Sequence, residues 1–427
     1  EVHSFVFKVV GQAAGDNKRI DIADRLSTNG KAFITLQDSG GDFGRTQRDV
    51  FSACTGGLTG LAKCAGQEWP AAAVKAIDVE RDRQPGERGV DLRETARRIV
   101  EEILLGGDDI EVGLPRDGRR LVPCCELAAG ESPSPIKPLE EGAVVIVSGG
   151  GRGITARSVI ELAKTARLKF ALFGRTEPVD VPADVPMDAT EDEVRGLLAR
   201  AALAAGNKPS PKEIAATAAR IVASRDIRAT IEAVRAAGSQ AEYSVVDITD
   251  VAAVMHRCMT IRRTWGPISG IIHGAGVLAD KLIKDKTDDQ FARVFSTKVA
   301  GLHALLAACG ADDLKFISLF SSVAARFGSA GQSDYAMANE ALNRAAWAIS
   351  NARPGCRVQA VNWGPWEYGM VSGPVRSYFE ERGIPIIPAD IGAGAFVQEL
   401  LASPDSHPEV VFAGTSQTVP GSLIATI

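Results

Sequence analysis

The feature that most constrains the fold of this chain is a glycine-rich turn between an apolar strand and a helix. The run Val144–Ser148 is followed at once by GGGRGIT, residues 149–155, and then by the helical pattern ARSVIELAKTA. Glycines let the backbone turn tightly and approach a phosphate, whose charge is favoured at the positive end of the helix dipole. A plain tight turn is the alternative, but the flanking strand and helix weigh against it. The pattern therefore predicts an α/β fold with a dinucleotide site at this turn.

Strand and helix patterns alternate on both sides of the turn. The first 130 or so residues alternate apolar runs such as KAFITLQD with helical patterns such as LRETARRIVEEILLG, and the alternation resumes through KFALFGRT, ISGIIHGAGV and RVQAVNWGPW. Such alternation indicates parallel sheets covered by helices. Between the halves, AAGESPSPIKPLEEG lacks apolar periodicity and predicts a linker near Glu131–Pro138. We expect one unit over residues 1–138, linker included, and a second over 139–427.

One segment interrupts the second half. Residues from about 188 to 225 are rich in Ala, Leu, Glu and Arg and contain the break NKPSP at Asn207–Pro211, which predicts two extra helices. The favoured interpretation is a surface insertion without a chemical role. A docking surface for a partner domain is the alternative.

Composition excludes several classes of function. With 427 residues, 45% of them hydrophobic and 24% charged, the chain can form a large globular core. Its net charge of −5 is not gathered into blocks, so no nucleic-acid partner is expected, and no apolar run is long enough to cross a membrane. The seven cysteines and five histidines lack C-x-x-C and H-E-x-x-H spacings. We therefore predict no metal site and no disulfide framework, and a reducing cytoplasmic location fits best.

Two arginines near the turn bear on the choice of cofactor. The strand KFALF ends at Gly174 and Arg175, where the ribose of a dinucleotide is expected. An arginine suits a 2′-phosphate, so Arg175 together with Arg152 favours NADPH over NADH, two solvated surface arginines being the alternative. Asp247, at the end of AEYSVVD, lies where an adenine contact would fall, with helix capping as the alternative.

A set of polar residues suited to proton transfer lies downstream. Ser321 and Ser322 end an apolar strand, and Tyr335 follows thirteen residues after Ser322. Asn339 lies four residues further, on the same helical face, and Lys298 precedes the tyrosine by thirty-seven residues. A tyrosine with a pKa near ~10 is a poor acid–base group at neutral pH, but a neighbouring ammonium and an oxidised nicotinamide ring favour its phenolate. A serine can hold a carbonyl oxygen, and an asparagine can keep a water in a relay through the lysine.

From about Glu141 to Trp366 the chain resembles a short-chain dehydrogenase/reductase, and more closely the ketoreductase domain of a type I polyketide or fatty acid synthase. The motifs SGGGRGIT, FGRT, VDITD, IIHGAGVLADKLI, TKVAGL, LFSSVAARFGSAGQSDYAMANEALN and VNWGPW match in order, although Thr155 stands where the family has its last loop glycine. The resemblance implies a catalytic tetrad of Ser322, Tyr335, Lys298 and Asn339. The cofactor contacts that it implies are Gly149, Gly151, Arg152, Gly153, Ile154, Gly174, Arg175, Asp247, Ile248, Gly274, Ala275 and Gly276.

The first half resembles the structural subdomain of such ketoreductases. Gly56–Gly60 open a helix there but lack a matching Ser/Tyr/Lys set, so we expect a buttress without a cofactor site. The predicted fold class is α/β with two Rossmann-like, doubly wound parallel-sheet subdomains: a truncated structural one, and a catalytic one with a helical insertion. Since the chain begins at Glu1 without a methionine, we expect it to be cut from a megasynthase whose neighbouring domains are its partners.

The resemblance is closest to the ketoreductases of polyunsaturated fatty acid synthases, on KPSPKEI, ASRDIRATI, GGGRGITA and HGAGVLADKLIKDKT. It implies NADPH-dependent reduction of a β-ketoacyl thioester carried by acyl carrier protein, as in a 3-oxoacyl-[acyl-carrier-protein] reductase. Other iterative synthases are an alternative context. A free-standing reductase of small carbonyl compounds and a non-catalytic scaffold are alternative functions.

The stereochemistry implied by the resemblance is 3R. Leu278-Ala279-Asp280 keeps the first and last members of the Leu-Asp-Asp triplet of 3R-specific enzymes, and Phe327 stands where enzymes of opposite specificity carry a tryptophan. Trp366 is assigned to the substrate site with these residues. The loop that follows it, about 367–389, is predicted to be a lid, an ordinary surface helix and turn being the alternative.

Overall fold

The computed structural model describes residues 2–11, 31–80, 92–127, 139–186, 188–367, 385–402 and 407–414. The predicted linker at 131–138 and residues 368–384 of the predicted lid lie outside these ranges. The division of the chain at residue 138 therefore stays a prediction.

The described residues form one twelve-stranded sheet with helices on both faces. Its order is β2-β3-β4-β5-β1-β12-β11-β10-β9-β6-β7-β8. The strands are β1 (Val2–Gly11), β2 (Ala32–Gln37), β3 (Ala73–Val79), β4 (Glu111–Leu114), β5 (Leu121–Leu127), β6 (Val144–Ser148), β7 (Lys169–Gly174), β8 (Gln240–Val245), β9 (Ile268–His273), β10 (Phe316–Ser322), β11 (Arg357–Trp363) and β12 (Glu409–Gly414).

Strand direction divides the sheet into two parallel blocks. Strands β12 to β8 are parallel throughout, and so are β2, β3 and β4. Between the blocks, β5 is antiparallel to β4 and β1, and β1 is antiparallel to β12. The predicted α/β class is confirmed. The antiparallel junction was not predicted, because an apolar run does not reveal the direction of its neighbours.

The helices cover both faces of the sheet. They are α1 (Val50–Cys54), α2 (Leu58–Glu68), α3 (Leu92–Leu105), α4 (Gly153–Thr165), α5 (Glu191–Ala204), α6 (Pro211–Ala236), α7 (Val251–Trp265), α8 (Asp288–Cys309), α9 (Val323–Phe327), α10 (Ser333–Ala352) and α11 (Ala389–Leu400). In β6, Val144 and Ile146 pack into one hydrophobic core with α7, α8 and α10, whereas Val145 and Val147 pack into a second core with α4 and α11. Burial on both faces explains why the central strands are uniformly apolar.

The two helices predicted for the insertion are present. Thr190 caps α5 and Ser210 caps α6, each in a reciprocal bond pair with a glutamate three residues later, and Pro211 opens α6. The break at Asn207–Pro211 is thus confirmed. However, α6 does not end with the insertion: it runs for 26 residues and includes the helix that follows in the α/β alternation.

A buried cluster of charges joins the first half of the chain to the second. Lys63 of α2 lies 2.5 Å from Glu111 of β4, and Arg344 of α10 pairs with that same glutamate. Three cations and three anions take part, none more than 6% exposed: Lys63, Arg326, Arg344, Glu111, Glu340 and Glu409. The positive charges hold the pKa of Glu111 below its ordinary value despite its burial.

Candidate active site

A cleft of about 1640 Å³ lies at the carboxyl ends of β6, β7, β9, β10 and β11. Ligands of parallel α/β sheets bind at this end. The sequence-predicted residues that line the cleft are Gly149, Gly151, Arg152, Gly153, Ile154, Gly174, Arg175, Ile248, Gly274, Ala275, Gly276, Leu278, Asp280, Lys298, Ser322, Tyr335 and Trp366. Three predicted residues do not line it: Asp247, Phe327 and Asn339.

The glycine turn packs directly on the segment that follows β9. Gly149 has φ 73°, and a Cβ there would lie 2.8 Å from the Ala275 nitrogen. A Cβ on Gly274 would collide with the hydroxyl of Thr155, which fills the space beside the turn. The Gly274 amide also donates to the Ser148 carbonyl at 3.0 Å. Gly149 and Gly274 are required because the turn and the segment after β9 pack backbone against backbone. The turn faces the cleft on its other side.

The insertion forms part of the cleft wall. A Cβ on Gly151 would lie 2.9 Å from Cγ1 of Ile227 in α6, and Thr230 of α6 donates to the Gly151 carbonyl at 3.0 Å. Arg225 of α6 and Glu191 of α5 line the same end of the cleft. Ile227 and Thr230 belong to the part of α6 that follows the insertion, whereas Glu191 and Arg225 belong to the insertion itself. The interpretation of the insertion as a surface feature did not include the place of these two residues in the cleft wall.

The region around the turn fits a polyanionic dinucleotide. Arg152 and Arg175 are exposed at the cleft, and within the described ranges neither forms an ion pair. The charge of Arg175 contributes to lowering the pKa of Asp247, after the hydrogen bonds that Asp247 accepts from Thr249. Asp247 does not cap a helix, because Asp250 caps α7 by accepting from the Ala253 amide at 3.0 Å. The capping alternative for Asp247 was wrong.

Ser322, Tyr335 and Asn339 are held together at the junction of β10 and α10. Ser322 ends β10, and its Oγ accepts from the Ala324 amide at 3.2 Å, which leaves its own proton free to donate. Tyr335 lies in the first turn of α10, and the side chains of Ser322 and Asn339 are near enough to its hydroxyl to lower its pKa. Nδ2 of Asn339 donates to the Tyr335 carbonyl at 2.9 Å, and its buried Oδ1 has no partner among the described residues.

Lys298 reaches the same cleft from α8. Its Nζ donates to the Phe320 carbonyl at 2.5 Å, and a Cβ on Gly276 would lie 3.2 Å from its Cε. Burial lowers the pKa of Lys298 to about 7. The amine can therefore gain or lose a proton near neutral pH, which a relay requires.

Burial dominates the pKa of Tyr335. It raises the pKa above its ordinary value, and interactions with the Ser322 and Asn339 side chains offset only part of that rise. The predicted stabilisation of the phenolate by an ammonium together with an oxidised nicotinamide ring stays a prediction. Tyr335 is a neutral phenol at neutral pH, which suits a proton donor.

Two buried polar residues of the site were missed in the sequence. Ser148 Oγ accepts from the Ala275 amide at 3.3 Å and lies 2.6 Å from Nδ1 of His273, whose Nε2 lies 2.9 Å from the Lys298 carbonyl. Burial lowers the pKa of His273 to about 3, so the ring is neutral. The hydrogen-bond network assigns its proton to Nε2, since Ser148 must donate to Nδ1. Polar residues at the ends of two apolar strands were the available signal.

The predicted substrate residues have different surroundings. Leu278 and Asp280 line the cleft, and Asp280 accepts from Nε2 of Gln332 at 3.0 Å. Phe327 ends α9. Trp366 borders the cleft but is 1% exposed and packs edge-on against Trp363, with ring centroids 4.8 Å apart. It is therefore chiefly a core residue.

Comparison with known proteins places the chain in a family. The profile of the KR domain matches residues 143–368, more than half of the chain. The chain belongs to the KR, or ketoreductase, domain family. The predicted resemblance to ketoreductases of polyketide and polyunsaturated fatty acid synthases is thereby confirmed.

Relatives of this ketoreductase domain are much longer chains. A polyunsaturated fatty acid synthase subunit of Thraustochytrium sp. is 34% identical over 389 residues, which cover 87% of this chain and 13% of that protein. Phthioceranic/hydroxyphthioceranic acid synthase of Mycobacterium tuberculosis is 32% identical over 284 residues, 63% of this chain and 13% of that one. The chain thus spans a small part of the relatives it matches.

Solved structures show the same fold. The crystal structure of a ketoreductase domain from the bacillaene assembly line aligns with a TM-score of 0.67 and 20% identity, over 97% of each chain. Among the described residues, no helix has the length and apolarity to cross a membrane, and no group of side chains could hold a metal ion.

Proposed function

We propose that this ketoreductase domain reduces the β-keto group of an acyl thioester with NADPH, as a 3-oxoacyl-[acyl-carrier-protein] reductase does. The observation that carries the proposal is the convergence of Ser322, Tyr335 and Lys298 in one cleft with the glycine turn. NADPH, when bound along this turn, supplies a hydride for the carbonyl carbon. The chain's own residues bind the cofactor, hold the ketone and deliver the proton.

Proton delivery follows from the protonation states in the cleft. Tyr335, a neutral phenol, donates its proton to the ketone oxygen, and the free hydroxyl proton of Ser322 hydrogen-bonds to the same oxygen. The hydride and this proton together convert the ketone to an alcohol. Lys298 returns a proton to the tyrosine from water, and the unpartnered Oδ1 of Asn339 provides an acceptor for a relay water.

Preference for NADPH over NADH is proposed from Arg152 and Arg175. Both guanidinium groups are exposed at the cleft without a carboxylate partner among the described residues, so their charge is available to a 2′-phosphate. Asp247 stays a proposed adenine contact, although it does not line the cleft.

The substrate and its context are proposed from the relatives and the motifs. A relative that covers 87% of this chain is a polyunsaturated fatty acid synthase subunit, which supports an acyl thioester on acyl carrier protein and neighbouring synthase domains as partners. Leu278, Asp280 and Phe327 support the 3R product. A cytoplasmic location stays a prediction.

The test is steady-state reduction of a series of β-ketoacyl-N-acetylcysteamine thioesters with NADPH, with chiral analysis of the alcohol. We expect Tyr335→Phe to lower kcat by at least ~10²-fold and to leave the Kd for NADPH within about twofold, because only the proton donor is removed. Thr264→Val is the control, since it removes a hydroxyl that donates to the Thr260 carbonyl at 3.2 Å on the exposed face of α7 and does not line the cleft.

The outcomes separate the alternatives. Reduction of a simple ketone such as trans-1-decalone without reduction of thioesters would indicate a free-standing carbonyl reductase. Binding of NADPH without turnover of either class would indicate a non-catalytic scaffold. Near-normal turnover in Tyr335→Phe would remove the tyrosine from the mechanism.

A further inference from the structure

The C-terminal end of α2, in the first half of the chain, reaches the loop between the catalytic serine and tyrosine. We call residues 328–332 the serine–tyrosine loop. Nε2 of Gln67 donates to the Phe327 carbonyl at 2.9 Å, and Oε1 of Gln67 accepts from the Ala330 amide at 3.0 Å. One side chain thus bonds to the backbone on both sides of the bend at Gly328. Gln67 also lines the cleft.

The next residue of α2 connects that loop to a second one. We call residues 278–283, which begin with the stereocontrol triplet, the Leu278 loop. Oε1 of Glu68 accepts from the Gly331 amide at 2.9 Å, and Oε2 accepts from the Ile283 amide at 2.7 Å. A single carboxylate therefore bonds to both loops. Hydrogen bonds to an ionised acceptor are about twice as strong as neutral ones.

The two loops also bond to each other. The Lys281 amide donates to the Gly331 carbonyl at 2.9 Å, and Nε2 of Gln332 donates to Oδ2 of Asp280 at 3.0 Å. Leu278 and Asp280 of one loop and Gln332 of the other all line the cleft. The position of the two loops relative to each other therefore affects the shape of the cleft wall near Tyr335.

Lys286 bonds to the same two loops from the catalytic half. Its Nζ donates to the Ala279 carbonyl at 2.9 Å and to the Gly331 carbonyl at 3.4 Å, and it lies 2.8 Å from Oδ1 of Asp334, the residue before Tyr335. Both side chains are almost fully buried. Lys286 provides one end of this support from the catalytic half, and Glu68 provides the other from the first half.

We propose that Gln67 and Glu68 are positioning residues, which hold the serine–tyrosine loop and the Leu278 loop at the separation that admits the ketone in one orientation. The proposal rests on the proposed function and assigns it a stereochemical contribution from the first half of the chain. The Gln67 and Glu68 side chains bond to backbone groups of the loops. A substitution within either loop therefore cannot supply the hydrogen bonds that Gln67 and Glu68 make. Loss of Glu68 frees both loops at once, whereas loss of Gln67 frees only one.

The first test is enzymatic and uses the full chain with NADPH and a β-ketoacyl-N-acetylcysteamine thioester. We expect Glu68→Ala to lower kcat/KM about tenfold, as for the loss of one to two buried hydrogen bonds, and to raise the fraction of the minor enantiomer. The Kd for NADPH should stay within about twofold, because the glycine turn is not touched. Glu68→Gln should be intermediate, since its single carbonyl oxygen can accept from only one of the two amides.

A matched control separates positioning from general stability. Val112→Ala removes buried apolar atoms from β4 in the same half and far from both loops. It should lower Tm and leave the enantiomer ratio unchanged. If Glu68→Ala keeps the wild-type kcat/KM and enantiomer ratio while wild type reduces the thioester, the proposal is overturned and the proposed function stands.

The second test does not depend on turnover. Hydrogen–deuterium exchange should be faster at the amides of Gly331 and Ile283 in Glu68→Ala, and at Ala330 in Gln67→Ala, with the rest of the chain unchanged. Val112→Ala should show no local increase at these three amides. Unchanged exchange in both variants overturns the proposal, even if wild type fails to reduce the thioester and the proposed function fails with it.

Discussion

Replacement of Lys298 should make the folded chain more stable, and by an amount that depends on pH. Lys298 is 4% exposed, its amine donates to the Phe320 carbonyl, and among the described residues no carboxylate forms an ion pair with it. Burial lowers its pKa from the ordinary 10.5 to about 7. A buried cation without a counter-ion opposes folding, so a methionine of similar length should remove that cost.

The magnitude follows from the two pKa values. Below about pH 7 the lysine is charged in both the folded and the unfolded chain, and the full cost is present, up to roughly 5 kcal/mol in the free energy of unfolding. Above pH 7 the folded chain releases the proton while the unfolded chain keeps it until about pH 10.5. The cost should therefore shrink by about 1.4 kcal/mol per pH unit in this window.

The assay is urea unfolding of wild type and Lys298→Met, followed by tryptophan fluorescence, at several pH values between about 6 and 9 with m-values compared at each. We expect the variant to be more stable at the lowest pH and its advantage to shrink as pH rises. Lys164→Met is the control, because that lysine is exposed and pairs with Glu161, and its difference from wild type should not change with pH. A pH-independent difference for Lys298→Met would refute the reasoning.

Three further predictions test the cofactor site and the charge cluster. Arg175→Ala should weaken NADPH by about tenfold or more, as expected for one lost charge-assisted contact, and leave NADH nearly unchanged; equal losses measured by fluorescence titration would contradict the phosphate assignment. Gly151→Ala should weaken NADPH, since the added Cβ would lie 2.9 Å from Ile227, and Ile227→Ala in the same chain should restore part of the affinity. Glu111→Gln should lower the free energy of unfolding by about 3–5 kcal/mol because it leaves buried cations uncompensated, and an unchanged urea midpoint would contradict that role.

The sequence was informative where a chemical requirement fixes residue type and spacing. The glycine turn needs glycine because Ala275 lies against it, and the helical spacing of Tyr335 and Asn339 alone brings them to one face. The pattern therefore predicted the turn and the approach of Tyr335 and Asn339 without knowledge of the rest of the fold, whereas the catalytic tetrad was implied by the resemblance and stays a prediction. It could not predict the contact between Gly151 and Ile227 of α6, because that contact depends on how the helix before β8 packs against the turn.

Electrostatic quantities were also beyond the sequence. Whether the pKa of Tyr335 rises or falls depends on the balance between its burial and its hydrogen bonds, and neither is visible in spacing. The same holds for Lys298, whose low pKa results from burial alone. Residue type predicts which groups can exchange protons, whereas their surroundings determine the pH at which they do so.

The glycines of the first half show that a glycine cluster at the start of a helix can serve helix packing instead of phosphate binding. Gly57 and Gly60 lie against the backbone of α10, in a glycine cluster that opens a helix just as a cofactor-binding turn does. A Cβ on Gly60 would be 2.6 Å from the Ala336 carbonyl, and a Cβ on Gly57 would be 2.8 Å from the Met337 carbonyl. They permit close packing of two helices rather than the approach of a phosphate.

That packing brings the first half into direct contact with Tyr335. Cys64 of α2 is fully buried in one hydrophobic cluster with Ala324 and Ala336, against which Tyr335 packs. The burial that raises the pKa of Tyr335 is therefore supplied in part by α2, and the same helix ends at the side chains that bond to both loops. The first half accordingly contributes to the pKa of Tyr335 and to the shape of the cleft, although the residues proposed to react all belong to the second half.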